Sequence, residues 1–143
     1  MSLEVEPTVV KPQILVVDDE VAMVRSLELL LRPLGNIHKA YSVPEAEDFF
    51  EQKIDCIVTD VSMPEASGLT LVEKVRKKNP ETPVIVMTAY SSVNQAVEAM
   101  QKGAYKYIVK PFDNNEMLST VRKAITKKGL VMERPSVSRG LDL

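Results

Sequence analysis

Residues Gln13 to Gly35 read QILVVDDEVAMVRSLELLLRPLG, and the stretch holds a strand, a cluster of carboxylates and a helix in immediate succession. ILVV is an unbroken run of β-branched residues and Leu, the pattern of a parallel strand covered on both faces. Asp18, Asp19 and Glu20 follow without a break. Two unit charges about 5 Å apart at an effective dielectric of about 20 repel by about 3 kcal/mol, so something must offset that repulsion or cancel it. Beyond them Val21, Val24, Leu27, Leu30 and Leu31 recur at helical spacing, which predicts a helix with those side chains inward and Gly35 as its stop. Glu20 is expected in the first turn of that helix, where negative charge is favourable.

The same alternation continues four more times. NIHKAY is a short second strand, and SVPEAEDFFEQK a helix capped by Ser42 with Ala46, Phe49 and Phe50 on one face. CIVT is the third strand, followed by the loop DVSMPEASG and the helix LTLVEKVRKKN, which Pro80 terminates. PVIVMT is the fourth strand; AYSSVNQAVEAMQKG then predicts a helix with Val93, Ala96, Val97 and Met100 inward and Gly103 at its end. After the fifth strand, KYIV, Asp113 is placed to cap a last helix that turns Met117, Leu118, Val121 and Ile125 inward. Five βα units in a row imply an α/β fold, a parallel sheet with helices on both faces. Residues 1–12 carry two prolines and no period and read as a flexible lead-in to a domain over 13–128. Residues 129–143, GLVMERPSVSRGLDL, read as a linker or tail.

A chain of 143 residues with 45% apolar and 27% charged content suits one domain with its own core. Its net charge of −2 creates no large field of either sign, so neither nucleic acid nor a membrane is expected as a direct partner. Cys56 is the only cysteine, which excludes a disulfide framework and a cysteine-based metal site. No apolar run approaches the roughly 18 residues that span a bilayer, and a cytoplasmic protein is expected. His38, the only histidine, sits in the second strand away from the carboxylates.

Ligands of an open parallel sheet bind outside the carboxyl ends of its strands. At those ends this chain places Asp18, Asp19 and Glu20, then Asp60, then Thr88, then Lys110 and Pro111. Any one of them is an ordinary polar strand end; together they are a chemistry. Hard oxygen ligands are what Mg²⁺ selects, and a divalent cation turns repulsion among carboxylates into attraction. A Lys brings a point charge for an Asp or a phosphoryl oxygen, and a Thr hydroxyl can bond the same group.

The combination VVDDE, DVSMPEASG, MTA and YKYIVKPF, in this order and at these strand positions, resembles the receiver domain of two-component response regulators over about Ile14 to Lys128. The resemblance implies a flavodoxin-like, doubly wound five-stranded parallel sheet of order 2-1-3-4-5 with five helices. It further implies that a sensor histidine kinase passes a phosphoryl group to Asp60 with Mg²⁺ present. Asp19 would be a direct Mg²⁺ ligand, Asp18 would act mostly through bound water, and the backbone carbonyl of Ser62 would complete the protein's share. Lys110 and Thr88 would each hold a phosphoryl oxygen, and the Lys110–Pro111 peptide would be cis. Thr88 and Tyr107 would be the switch pair that reshapes the face made by the fourth helix, fifth strand and fifth helix, a face that can form a homodimer. Pro64 and Gly68 would shape the loop after Asp60, Gly68 by permitting unusual backbone angles, while Ser62 and Tyr90 would tune the phosphoryl lifetime. Such a domain catalyses only its own phosphorylation and dephosphorylation; it is not a turnover enzyme.

The stretch TAYSSVNQAVEAMQKGAYKYIVKPF looks most like receivers attached to σ54-dependent AAA+ transcriptional activators, with Ser91 and Lys106 as departures from their usual Gly and acidic residue. No G-x-x-x-x-G-K-[ST] and no helix-turn-helix pattern is present, so a separate, absent output domain or a stand-alone receiver is expected. A haloacid-dehalogenase-type phosphohydrolase would also use an Asp nucleophile, but Asp60-Val61-Ser62 lacks that family's second Asp. A pseudo-receiver that serves only as a docking module is the other alternative, and the full set of phosphorylation residues argues against it.

Overall fold

Every apolar run identified above is a strand. In the computed structural model, which describes residues 11–64 and 66–127, they are β1 (Gln13–Val17), β2 (Asn36–Ala40), β3 (Cys56–Asp60), β4 (Val84–Ala89) and β5 (Lys106–Lys110). They form one sheet of order β2-β1-β3-β4-β5, and each neighbouring pair is parallel, with Ile14 beside Cys56, Val58 beside Ile85 and Met87 beside Ile108. The helices between them are α1 (Val21–Leu31), α2 (Val43–Glu47), α3 (Gly68–Lys78), α4 (Val93–Gln101) and α5 (Asn114–Lys127). No helix among the described residues is long and apolar enough to cross a membrane.

Successive strand side chains point to opposite faces, and both faces are covered. On one, Ile14, Val16, Val58, Ile85, Met87 and Ile108 meet Val24, Leu27 and Leu31 of α1 and Met117, Val121 and Ile125 of α5. On the other, Leu15, Val17, Ile57, Val84 and Val86 meet α2, α3 and α4 through residues such as Ala46, Leu71, Val75 and Ala96. Full burial of each large apolar side chain is worth about 1.5–3 kcal/mol. Cys56 is one of these buried core residues, and the His38 ring lies on the α2 side, 2.7 Å from Gln13 Oε1 and tilted against Phe49.

Several expectations about side-chain direction and element length are corrected. Val21 is 61% exposed, because the first turn of α1 lies at the carboxyl edge, past the last residue of β1. Glu20 is not in that turn but caps it, with extended backbone angles. On α4 the buried residues are Ala96 and Ala99, while Val97 and Met100 are 45% and 38% exposed; the small alanines let the helix axis approach the sheet and rotate the larger side chains outward. The second helix stops at Glu47. From there Asp48, Phe49 and Phe50 donate to carbonyls three residues back, the tighter turn that suits a segment of weak helix formers. Its cap is as expected, Ser42 Oγ accepting from the Glu45 N–H, and so is the cap at Asp113, which accepts from the Asn115 N–H. Gly103 ends α4 at φ 111°, where a side chain would also meet the Arg76 stem at 2.8 Å. Within the expected lead-in, Pro12 is buried and its carbonyl accepts from the Asn36 N–H. Residues 1–10 and the expected tail from 129 lie outside the described residues.

Candidate functional site

Because β1 and β3 are neighbours, the residues that leave their carboxyl ends lie side by side. Asp60 is the last residue of β3 and Asp18 the first after β1; both are buried, while the adjoining Asp19 is exposed. One carboxylate oxygen from each of the three lies within 4.8 Å of the others. Lys110 closes the group from β5, two strands away, its long stem bringing Nζ to 3.0 Å from Asp60 Oδ1 and 4.0 Å from Asp18 Oδ2. The peptide between Lys110 and Pro111 is cis, as expected.

The electrostatics follow from burying two acids beside one base, with a third, exposed acid next to them. Burial, reinforced by the Asp60 charge, holds the Asp18 carboxyl up at about 6, against the Glu20 N–H bonded to its Oδ1 at 2.9 Å. Burial likewise pushes Asp60 above its usual range, more than the Lys110 ammonium draws it down. For Lys110 burial favours the neutral amine, but the hydrogen bond to Asp60 and the charges of Asp60 and Asp18 outweigh it and leave the ammonium above its ordinary value. Asp18 Oδ2 is buried with no hydrogen-bond donor. A carboxylate oxygen in that position is expensive when ionised, and a hard divalent cation against it and its two neighbours relieves the cost. The donor set therefore fits such an ion.

The other expected residues are distributed around this cluster. Thr88, fully buried, does not point its hydroxyl at Asp60; it donates to the carbonyls of Ser92 (2.9 Å) and Ala89 (3.1 Å). Ser62 is exposed in the loop that leaves Asp60, and its hydroxyl donates to Gln95 Oε1 of α4 at 3.2 Å. Tyr107 is half-buried, opposite Val86, in the layer that β4 shares with α4. The expectation for Tyr90 concerns a side chain outside the described residues. Gly68 is needed for a reason different from the expected one. It does not have a positive φ; a Cβ there would sit 2.5 Å from the Asp60 carbonyl oxygen. The start of α3 thus lies directly on the backbone of β3, with the Gly68 N–H donating to Val61 O at 3.0 Å.

Sequence reading missed Gln95, whose position in the first turn of α4 says nothing of the loop it reaches. It also missed the Glu20 N–H, for which an Asp two residues earlier is the available signal. Beside the cluster a cavity of about 220 Å³ opens between Asp19, Tyr41, Ser42, Val43, Met63, Pro64 and Ala66. The arrangement is a concave carboxylate edge with one ammonium, able to hold a cation and to receive a group rich in oxygen.

The comparisons with known proteins agree with this geometry. The chain is 40% identical over 128 residues to the transcriptional regulatory protein ZraR of Escherichia coli (strain K12), covering 87% of this chain and 29% of that protein. It is 35% identical over 120 residues to the DNA-binding transcriptional regulator NtrC of Proteus hauseri, covering 81% and 25%. The chain thus spans less than a third of the length of these curated relatives. Its fold superposes on the crystal structure of a response regulator receiver domain protein from Clostridium thermocellum with a TM-score of 0.78 at 30% identity, over 82% of this chain and 97% of that one. Residues 14–122 match the family model of the response regulator receiver domain, and on that match, with the sheet order and the acidic edge behind it, the chain belongs to the receiver domains of two-component response regulators.

Proposed function

We propose that Asp60 accepts a phosphoryl group from the phosphohistidine of a sensor histidine kinase. The observation that supports this best is the convergence of Asp18, Asp19 and Asp60 with Lys110 on one strand edge. Lys110 holds Asp60 Oδ1, which leaves Oδ2 as the attacking atom. As the Asp60 oxygen forms its bond to phosphorus, the bond from phosphorus to the donor nitrogen breaks and the imidazole leaves with its electron pair. Asp18, Asp19, Asp60 and the Ser62 carbonyl are the groups that would hold Mg²⁺, which supplies positive charge to the phosphoryl oxygens. Lys110, 3.0 Å from Asp60 Oδ1, would add its own positive charge, and burial of the cluster strengthens its effect. Phosphoryl transfer asks for positioning and charge more than for covalent chemistry, and this edge provides both.

Once formed, the acyl phosphate competes for the Thr88 hydroxyl. Withdrawal of that donor from Ser92 O opens space on the α4 side of β5, where Tyr107 lies, and biases the face of α4, β5 and α5 between two states. Val97 and Met100, exposed on that face, suit a homodimer contact. Residues 13–128 are read as the receiver domain, and 129–143 as the lead to an output domain that controls transcription, of the σ54-dependent type. The whole is read as a cytoplasmic regulator.

Intact-mass analysis after incubation with acetyl phosphate and Mg²⁺ tests the central step. The wild type should gain one phosphoryl group and Asp60→Ala none; a wild type that gains none overturns the reading.

A further inference from the structure

We propose that Gln95 is a positioning residue that ties helix α4 to the chemistry at Asp60; this deepens the phosphorylation reading above and rests on it. Two side-chain hydrogen bonds fasten the start of α4, and both donors are hydroxyls at the acidic edge. Thr88 donates to Ser92 O at 2.9 Å and Ser62 donates to Gln95 Oε1 at 3.2 Å. The acceptors are three residues apart, one turn of the same helix. That turn has little else to hold it, since Ser92 makes no side-chain cap bond and no acidic residue lies in the first turn, so the usual supports of a helix N-terminus are missing.

The opposite end of α4 is held in another way. Lys102 Nζ lies 2.8 Å from Glu73 Oε2 of α3, and Gly103 rests on the aliphatic stem of Arg76. The Arg76 guanidinium in turn donates to the carbonyls of Pro80 and Thr82. None of these contacts involves the acidic edge. One end of the helix is therefore anchored independently of the site, while the other depends on two hydroxyl protons beside it.

A hydroxyl has one proton to donate. Phosphoryl oxygens on Asp60 are stronger acceptors than a carbonyl or an amide, so Ser62 and Thr88 turn toward them and Gln95 Oε1 and Ser92 O lose their donors together. Both residues are partly exposed, so water satisfies what is released. Gln95 thus favours the unphosphorylated position of α4 and converts the state of Asp60 into the freedom of its first turn.

Amide hydrogen exchange across residues 93–97 of the full chain, measured without phosphodonor, tests this. Gln95→Ala should exchange about threefold faster there, with residues 99–101 unchanged, as expected for loss of one modest hydrogen bond. Gln95→Glu keeps an acceptor oxygen for Ser62 and should restore wild-type exchange. Equal exchange in Gln95→Ala and wild type overturns the proposal, and so does a Gln95→Glu variant as fast as Gln95→Ala. In wild type, phosphorylation confirmed by mass releases both bonds and should bring at least the acceleration of Gln95→Ala over 93–97, and a phosphorylated protein with unchanged exchange overturns the coupling. A wild type that takes up no phosphoryl group overturns the role of Asp60 itself, a failure told apart from the others by the mass alone.

Discussion

Replacing Asp18 by Asn should stabilise the metal-free domain at neutral pH while removing its response to Mg²⁺. Asp18 has no solvent exposure, and its carboxyl is held at about 6 against an ordinary 3.8. Two units at about 1.4 kcal/mol each make the ionised group unfavourable by about 3 kcal/mol at neutral pH. The folded state binds this proton more tightly than the unfolded state. Its stabilising contribution is therefore complete below about pH 4, is lost as pH rises through about 6, and is absent above that. Asn is neutral throughout and can still accept from the Glu20 N–H, although its buried amide donors need acceptors of their own; the attraction of Lys110 is already contained in the figure of about 3 kcal/mol. A net gain of about 2 kcal/mol is expected, or about 6–10 °C in Tm for a domain of this size. Circular dichroism melts in EDTA at about pH 4.5 and pH 7.5 would measure it: the gap between variant and wild type should open at the higher pH and nearly close at the lower. Added Mg²⁺ should then raise the wild-type Tm by mass action and leave the variant nearly unmoved. A variant less stable than wild type at pH 7.5 in EDTA, or a gap of equal size at both pH values, would refute the reasoning.

Gly68→Ala places a methyl 2.5 Å from the Asp60 carbonyl oxygen, and overpacking of that kind destabilises by about 1–3 kcal/mol; a lowered urea midpoint and weaker Mg²⁺ binding should appear together. Lys110→Met removes the ammonium 3.0 Å from Asp60, so the Asp60 carboxyl rises further. Phosphoryl uptake from acetyl phosphate at pH 7 should fall by about tenfold or more, and the pH at which it reaches half its maximum should move up. Val97→Asp alters a side chain that is 45% exposed and should change the stability of the monomer by less than about 0.5 kcal/mol. It should nonetheless abolish phosphorylation-dependent dimerisation in gel filtration.

How the elements follow one another was legible from the chain, because a strand buried on both faces reads as a continuous apolar run and each run here is followed by a helical stripe. The carboxylate edge was legible for a related reason: parallel strands all end on the same side, so Asp18, Asp60 and Lys110 had to share one edge, while the strand order that brings them within reach of one another is a property of the sheet. What a stripe does not encode is the rotation of its helix on the sheet. Val97 and Met100 share a stripe with Ala96, yet it is Ala96 and Ala99 that touch the core, and only the approach distance of α4 decides between them. Gly68 was legible as a necessary glycine with the wrong cause, because close backbone contact and positive φ leave the same mark in a sequence. The hydroxyl of Thr88 was assigned to the site by position, but its bond to Ser92 O depends on how the turn after β4 folds back. The bond between Ser62 and Gln95 joins residues 33 apart, and no local pattern announces it.

The distance along the chain between Asp18 and Lys110 has a consequence for synthesis. A ribosome completes β1 and exposes Asp18, later Asp60, and only near the end of the domain does it deliver Lys110 and then α5, whose Met117, Val121 and Ile125 close the core on the α1 side. Until that point Asp60 lacks the Lys110 ammonium that lies 3.0 Å from its Oδ1. A nascent chain, or one cut off before β5, carries Asp18, Asp19 and Asp60 without the one ammonium that faces them. On the phosphorylation reading proposed above, the order in which the strands are made leaves a half-built domain with its acceptor carboxylate but without the ammonium that transfer would use.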